Sequence, residues 1–179
     1  MELIIDKSWT LFLDRDGVIN KKLENDYVKS WEDFEFLPGV LESIKFFNDL
    51  FGKIIIVTNQ QGIGKGLYTH EELATIHEKM IHEINLNGGR IDKVYYSPNL
   101  NSENSILRKP NIGMGLKAKE EFPDIDFKKS IIIGDSVSDM QFGKNLGMIT
   151  FYITNKEISK YGKNVLFDFI INGLKGLRF

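Results

Sequence analysis

Four short groups of polar residues could do chemistry together in this chain. Asp14 and Asp16 stand two apart in Asp14-Arg15-Asp16-Gly17, Thr58 and Asn59 form a second group, Arg108-Lys109-Pro110 a third, and Gly134-Asp135 with Asp139 a fourth. Cleaving a phosphomonoester needs a nucleophile, a proton donor, oxygen ligands for a cation, and donors for the equatorial oxygens. The four groups supply a candidate for each. Asp14, beside a cation, would stay ionised and attack phosphorus, forming an aspartyl phosphate; Asp16 would protonate the leaving oxygen and later activate water. Asp135 is expected to ligate magnesium directly, because this hard ion takes oxygen ligands. Asp139 could bond it through water or hold loop amides. Thr58 and Asn59 can donate to phosphoryl oxygens, and Lys109 can neutralise the charge shared by phosphate and Asp14. Arg108 is then free to grip the substrate.

Such residues act together only if the chain gathers them. Short apolar runs alternate with longer stretches of helical period, which predicts an α/β fold: a Rossmann-like three-layer α/β/α sandwich around a mostly parallel sheet. Strands are expected at Trp9–Leu13, Lys53–Val57, Val94–Tyr96, Ser130–Gly134 and Met148–Ile153. Helices are expected from Pro38 to Phe51, from the capping box Thr69-His70-Glu71-Glu72 to Gly88-Gly89, from Gly113 to Phe122, and from Ser138 to Leu146. The last 25 or so residues are apolar without a clear period. In an open parallel sheet the loops at the carboxyl ends of strands meet in one crevice, and the first, second and fourth groups each follow a strand. Each group alone has a plain structural explanation, as a turn, a helix cap or a solvated loop. Their shared placement is what favours a site.

Composition narrows the partners. The 179 residues suit a single domain, 1–179, and 42% hydrophobic with 27% charged residues is the balance of a globular chain. Lys and Arg number 23 against 25 acids, so no global positive field exists for a nucleic-acid backbone, and a small-molecule partner is expected. There are no cysteines, no plan of a secretory signal, and no apolar run near the roughly 20 residues that span a bilayer. No membrane association and a cytoplasmic location are therefore expected. His70, His77 and His82 are spaced seven and five apart, which does not put them on one helix face, and they read as exposed or boundary residues rather than metal ligands.

The blocks Asp14 to Asn20, Thr58-Asn59-Gln60, Lys109, and Gly134-Asp135 to Asp139 resemble, in this order, the four motifs of the haloacid dehalogenase superfamily of phosphatases. Asp26-Tyr27-Val28, Phe36-Leu37-Pro38-Gly39, Val57 to Gly66 and Arg108-Lys109-Pro110 further resemble the heptose 1,7-bisphosphate 7-phosphatases and their histidinol-phosphatase relatives. The resemblance implies a capless magnesium-dependent phosphatase with Asp14 as nucleophile and Asp16 as acid/base. It places magnesium on the Asp14 carboxylate, the Asp16 carbonyl and Asp135, and puts substrate contacts on Arg108 and the segment from Gln60 to Lys65. The substrate it implies is a phosphorylated sugar, D-glycero-D-manno-heptose 1,7-bisphosphate losing its 7-phosphate, with histidinol phosphate or a broad range of sugar phosphates as the alternative. A non-catalytic phospholigand-binding module is the reading of another class, and the full motif set weighs against it. Relatives usually bind zinc through three cysteines and a histidine, at positions matched here by Ser97, Asn99, Ser105 and Leu107. No zinc is expected, since these side chains cannot replace thiolates. Oligomeric state is not legible.

Overall fold

A computed structural model describes residues 4–154, 167–177 and 179. The expected domain 1–179 also takes in 1–3, 155–166 and 178, which lie outside the described residues. Six strands form one sheet in the order β3-β2-β1-β4-β5-β6: β1 (Thr10–Leu13), β2 (Lys53–Asn59), β3 (Lys93–Ser97), β4 (Ser130–Gly134), β5 (Ile149–Ile153) and β6 (Phe169–Ile171). Every pairing is parallel. The order reverses between β1 and β4, which pair as Thr10 with Ser130 through Leu13 with Ile133. A parallel sheet is covered on both faces, and that explains why its central strands are apolar without interruption.

The alternation along those strands divides the core in two. Leu11, Leu13, Ile54, Ile56, Ile131 and Ile133 face the helices α1 (Val40–Leu50) and α2 (His70–Leu86), where Ile44, Phe47, Met80 and Ile84 meet them. Phe12, Ile55, Val57 and Ile132 face α3 (Gly113–Glu121) and α4 (Val137–Leu146), against Met114, Ala118 and Phe142. All six sheet isoleucines from 54–56 and 131–133 are fully buried. Each contributes about 1.5–3 kcal/mol by leaving water, and together they fix the central strands so that their carboxyl ends are rigid.

The helix signals hold closely. The Thr69 hydroxyl accepts from the Glu72 amide at 3.1 Å and the Glu72 carboxylate accepts from the Thr69 amide at 2.7 Å, so α2 starts on the expected capping box. α1 begins two residues later than Pro38 because Gly39 takes φ 76° and Pro38 belongs to the turn before it. β6 had no sequence signal. It is three residues long at a sheet edge, and its apolar residues resemble those of the surrounding tail.

Candidate active site

Asp14 directly follows β1, and its amide still bonds Ile133 O at 3.0 Å, so the strand pairing carries it to the β1/β4 divide. The chain then turns at Gly17, whose φ is +88°. A Cβ there would lie 2.3 Å from Asp135 Oδ2, so glycine is required both for the backbone angle and for letting this loop close against the end of β4. Gly134 does the same from the other side: a Cβ on it would stand 2.2 Å from that of Asp139.

Asp14, Asp135 and Asp139 converge, each offering an oxygen within 4.8 Å of the others. Lys109, 2% exposed, inserts its ammonium among them: 2.9 Å from Asp14 Oδ1, 2.5 Å from Asp139 Oδ1, and donating to Val57 O at 2.6 Å. Asp139 is fully buried, and its Oδ2 accepts from the amide and hydroxyl of Ser136 at 3.0 and 2.6 Å. With Ser136 it forms the capping box that opens α4, while pairing with Lys109. Asp135 takes Lys22 Nζ on Oδ2 at 2.7 Å, and its Oδ1 is buried without a partner among the described residues. An orphaned carboxylate oxygen beside two further carboxylates is the donor set of a hard divalent cation, and magnesium fits it. Burial, then the charge of Asp139, pushes the Asp14 carboxyl up to about 7, with Lys109 opposing. Burial likewise raises Asp135. Burial works to lower Lys109, but Asp139 and Asp14 outweigh it and hold the ammonium above its ordinary value.

Asp16 lies on the other flank and is held by donors. Arg15 NH2 reaches both its oxygens at 2.9 and 3.0 Å, Asn20 Nδ2 bonds Oδ1 at 3.0 Å, and Gln60 Nε2 bonds Oδ2 at 2.8 Å. Burial pushes the Asp16 carboxyl up, but the Arg15 charge and the bonds from Asn20, Arg15 and Gln60 hold it below the usual range. Gln60 is itself fixed, donating also to Thr58 Oγ1 at 2.9 Å and accepting from Tyr68 OH at 2.6 Å. Thr58 and Gln60 are each 1% exposed. Asn59 exchanges two bonds with the Lys109 backbone, both at 3.0 Å, and so ties the end of β2 to the loop that carries Lys109.

A cleft of about 250 Å³ opens over these groups, lined among others by Asp14, Asp16, Lys22, Tyr27, Gln61 and Arg108. Arg108 is half-buried and donates from NH1 to Asn99 O at 3.2 Å. Its loop is tied by Glu103, which accepts from Asn99 Nδ2 at 3.0 Å and from the Leu100 amide at 2.8 Å, around a 3-10 turn at Asn101–Glu103. Lys65 sits 5.2 Å over the Tyr27 ring, near the same cleft.

The reading of the histidines needs one correction. His77 is 7% exposed and faces inward, with Nε2 at 3.2 Å from Arg15 NH1. It lies four residues after Leu73 and three before Met80, both buried on α2, and that spacing was the signal that places it on the apolar face. Lys22, Asn20 and Tyr68 also belong to the site and were not singled out, since a lysine in a polar stretch has no periodicity to mark it.

Comparison with known proteins matches residues 10–163 to the family model described as polynucleotide kinase 3 phosphatase. The chain is 44% identical over 151 residues to the D-glycero-alpha-D-manno-heptose-1,7-bisphosphate 7-phosphatase of Campylobacter jejuni, covering 84% of this chain and 85% of that one. It is 31% identical over 176 residues to the D-glycero-beta-D-manno-heptose-1,7-bisphosphate 7-phosphatase of Yersinia pestis, covering 93% and 92%. The crystal structure of the D,D-heptose 1,7-bisphosphate phosphatase from B. bronchiseptica, complexed with magnesium and phosphate, is similar with TM-score 0.82 at 27% identity, covering 93% of both chains.

Proposed function

The chain belongs to the haloacid dehalogenase-like phosphatases, in the family described as polynucleotide kinase 3 phosphatase, and we propose that it is a magnesium-dependent phosphatase removing the 7-phosphate of D-glycero-D-manno-heptose 1,7-bisphosphate. The observation that carries the chemistry is the meeting of Asp14, Asp135 and Asp139 around Lys109 at the β1/β4 divide. Asp14 attacks phosphorus through a carboxylate oxygen while the bond from phosphorus to the sugar oxygen breaks; Asp16, a carboxylate in the free protein, takes up a proton from solvent beside the negative charge of the bound phosphate and gives it to that oxygen. Asp16, now a carboxylate, takes a proton from water, which attacks the aspartyl phosphate and releases inorganic phosphate with Asp14 restored. Lys109 offsets the charge that gathers on Asp14 and the phosphoryl oxygens. The Asp14 carboxylate, Asp135 and the Asp16 carbonyl would hold magnesium, which when bound would supply further compensation of phosphoryl charge. Asn59 and Gln60 line the phosphate side of the cleft with Thr58 buried behind Gln60, and Arg108 grips the sugar side. Zinc has no part, because Ser97, Asn99, Ser105 and Leu107 offer neither thiolate nor imidazole.

The substrate assignment draws on the relatives named for heptose bisphosphate, and the 44% relative makes the α anomer the first candidate. The family model's description favours a second reading, a 3′-phosphatase on polynucleotides, but a chain with 23 basic against 25 acidic residues lacks the charge excess such a strand rewards. We assign it to the cytoplasm as a single domain; among the described residues no helix is long and apolar enough to cross a membrane. The test is phosphate release with magnesium from both heptose bisphosphate anomers, histidinol phosphate, a sugar-phosphate panel and a 3′-phosphorylated oligonucleotide, with Asp14→Asn and chelator controls. Preference for one heptose bisphosphate, lost in both controls, is the expected result. Equal weak turnover of all sugars removes the heptose assignment, and ligand binding without turnover turns the protein into a binding module.

A further inference from the structure

We propose that His77 is a positioning residue for proton transfer, holding Arg15 so that Arg15 holds the Asp16 carboxyl at the leaving-group oxygen; this rests on the phosphatase reading above. Arg15 is 1% exposed, although arginine is among the residues least often buried outright. A buried guanidinium needs acceptors for its donors, and those found for it are few. NH2 gives both its bonds to Asp16, Nε is buried without a partner among the described residues, and NH1 faces His77 Nε2 at 3.2 Å. Since guanidinium cannot accept, Nε2 must be the acceptor, which puts the ring proton on Nδ1 and requires a neutral ring. The ring is kept neutral by its surroundings: burial, and then the Arg15 charge, lower His77 to about 3.

The ring is itself seated. It belongs to the buried stripe of α2 with Leu73, Ile76, Met80 and Ile84, and it meets the Tyr96 ring edge-on with centroids 6.2 Å apart. Tyr96 OH in turn stands 2.9 Å from His70 Nδ1, about two turns earlier on the same helix. α2 thus reaches the cleft without lining it: His77 is absent from its wall, while Arg15 and Asp16 form part of it. Besides its bond from Asn20, Asp16 is then fixed from two directions, by Gln60 with Tyr68 from the β2 side and by Arg15 with His77 from α2. Without the second, the guanidinium would be free to rotate about its chain and take the carboxyl with it.

A misplaced acid hurts most where the leaving oxygen is a poor leaving group. An alkoxide from a sugar needs its proton in the transition state, whereas p-nitrophenolate hardly does. The experiment therefore compares kcat on a sugar phosphate and on p-nitrophenyl phosphate, with saturating magnesium, for wild type, His77→Gln and His77→Asn. The Gln amide oxygen reaches the position of Nε2 and the Asn amide oxygen only that of Nδ1. His77→Asn should lose about tenfold in kcat on the sugar phosphate and no more than about twofold on the aryl phosphate, with KM steady, and His77→Gln should recover most of the loss. Equal losses on both substrates, or Gln and Asn behaving alike, would overturn the proposal in favour of a packing role. If His77→Asn does not fold, Arg15→Lys carries the test, since it keeps the charge but not the two-armed contact, and it too must lose selectively on the sugar phosphate. Wild-type protein that turns over neither substrate overturns the phosphatase reading first, and this inference with it.

Discussion

Asp14 and Asp16 are two residues apart and face one cleft, yet their surroundings are opposite. Asp14 stands among carboxylates, with Asp135 and Asp139 beside it and one buried lysine to answer them, and its carboxyl is pushed up to about 7 by burial and by Asp139. Asp16 stands among donors, with Arg15, Asn20 and Gln60 on its oxygens, and burial there is outweighed so that it falls below the usual range. In the free protein these shifts run opposite to the roles proposed for the two carboxyls, so each role depends on what binds: a cation beside Asp14 lowers it, and the phosphate charge beside Asp16 raises it. The crowded flank is short of positive charge, and a divalent cation bound there would keep Asp14 ionised to attack. The donor-rich flank needs no cation and gives its carboxyl a fixed direction, and direction is what a group that must hand a proton to one oxygen requires.

That contrast can be broken one side at a time. Asp14→Asn removes the nucleophile and a cation ligand together, and turnover should fall by at least about 10³-fold on every substrate, whatever its leaving group, in a steady-state phosphate-release assay. Asp16→Asn keeps the shape but not the proton, and a loss of roughly 10²- to 10⁴-fold is expected on sugar phosphates with a visibly smaller one on p-nitrophenyl phosphate; equal losses would erase the distinction between the flanks. Lys109→Met leaves Asp14 and Asp139 buried together without their cation, which should cost about 3–5 kcal/mol of stability and lower Tm by on the order of 10 °C in magnesium-free calorimetry. An unchanged Tm would mean that the crowded flank does not depend on this lysine.

The smallest effect concerns pH. Folded His77 has its pKa lowered to about 3 against an ordinary 6.5, by burial first and by Arg15 second, with Asp16 opposing. Between those values the unfolded chain takes up a proton that the folded chain refuses, so the stabilisation is full above about pH 6.5 and is lost as pH falls toward 3, at no more than about 1.4 kcal/mol per unit. The denaturant midpoint of His77→Gln should therefore decline less than that of wild type between about pH 7 and pH 4.5. A parallel decline would show that His77 does not resist protonation.

The crowded flank was legible in the sequence and much of the donor-rich flank was not. Asp14 and Asp135 follow strands whose unbroken apolar runs are hard to mistake, and their position follows from the general rule that strand ends converge, whereas Lys109 lies on the long loop between β3 and α3 and was legible only as a basic residue before Pro110. Asp16 was legible as a residue but not its setting. Arg15 reads as an ordinary charged neighbour, and its burial depends on α2 packing across the sheet face, a tertiary fact. His77 carried a usable signal in its spacing from Leu73 and Met80, which was hidden by comparing the histidines with one another instead of with the apolar stripe. Lys22 lies on Asp135 through a contact 113 residues away along the chain, and no local pattern encodes that. The sixth strand escaped for a similar reason: three apolar residues at a sheet edge are defined by their neighbour β5 and not by their own period.

The pairing of β1 with β4 also bears on how the site comes into being. Leu13 aligns with Ile133, so the aspartate after the first strand meets its partner carboxylates only once the chain has closed a loop of some 120 residues. Contacts of that range form late in folding and slowly, whereas β1 and β2 can pair much earlier. A chain still being synthesised, or cut anywhere before Asp135, carries the nucleophile but neither the rest of the cation site nor its cap on α4. Activity should thus appear only once β4 and the start of α4 have joined β1, and it reports on that long-range pairing rather than on the earlier pairing of β1 with β2.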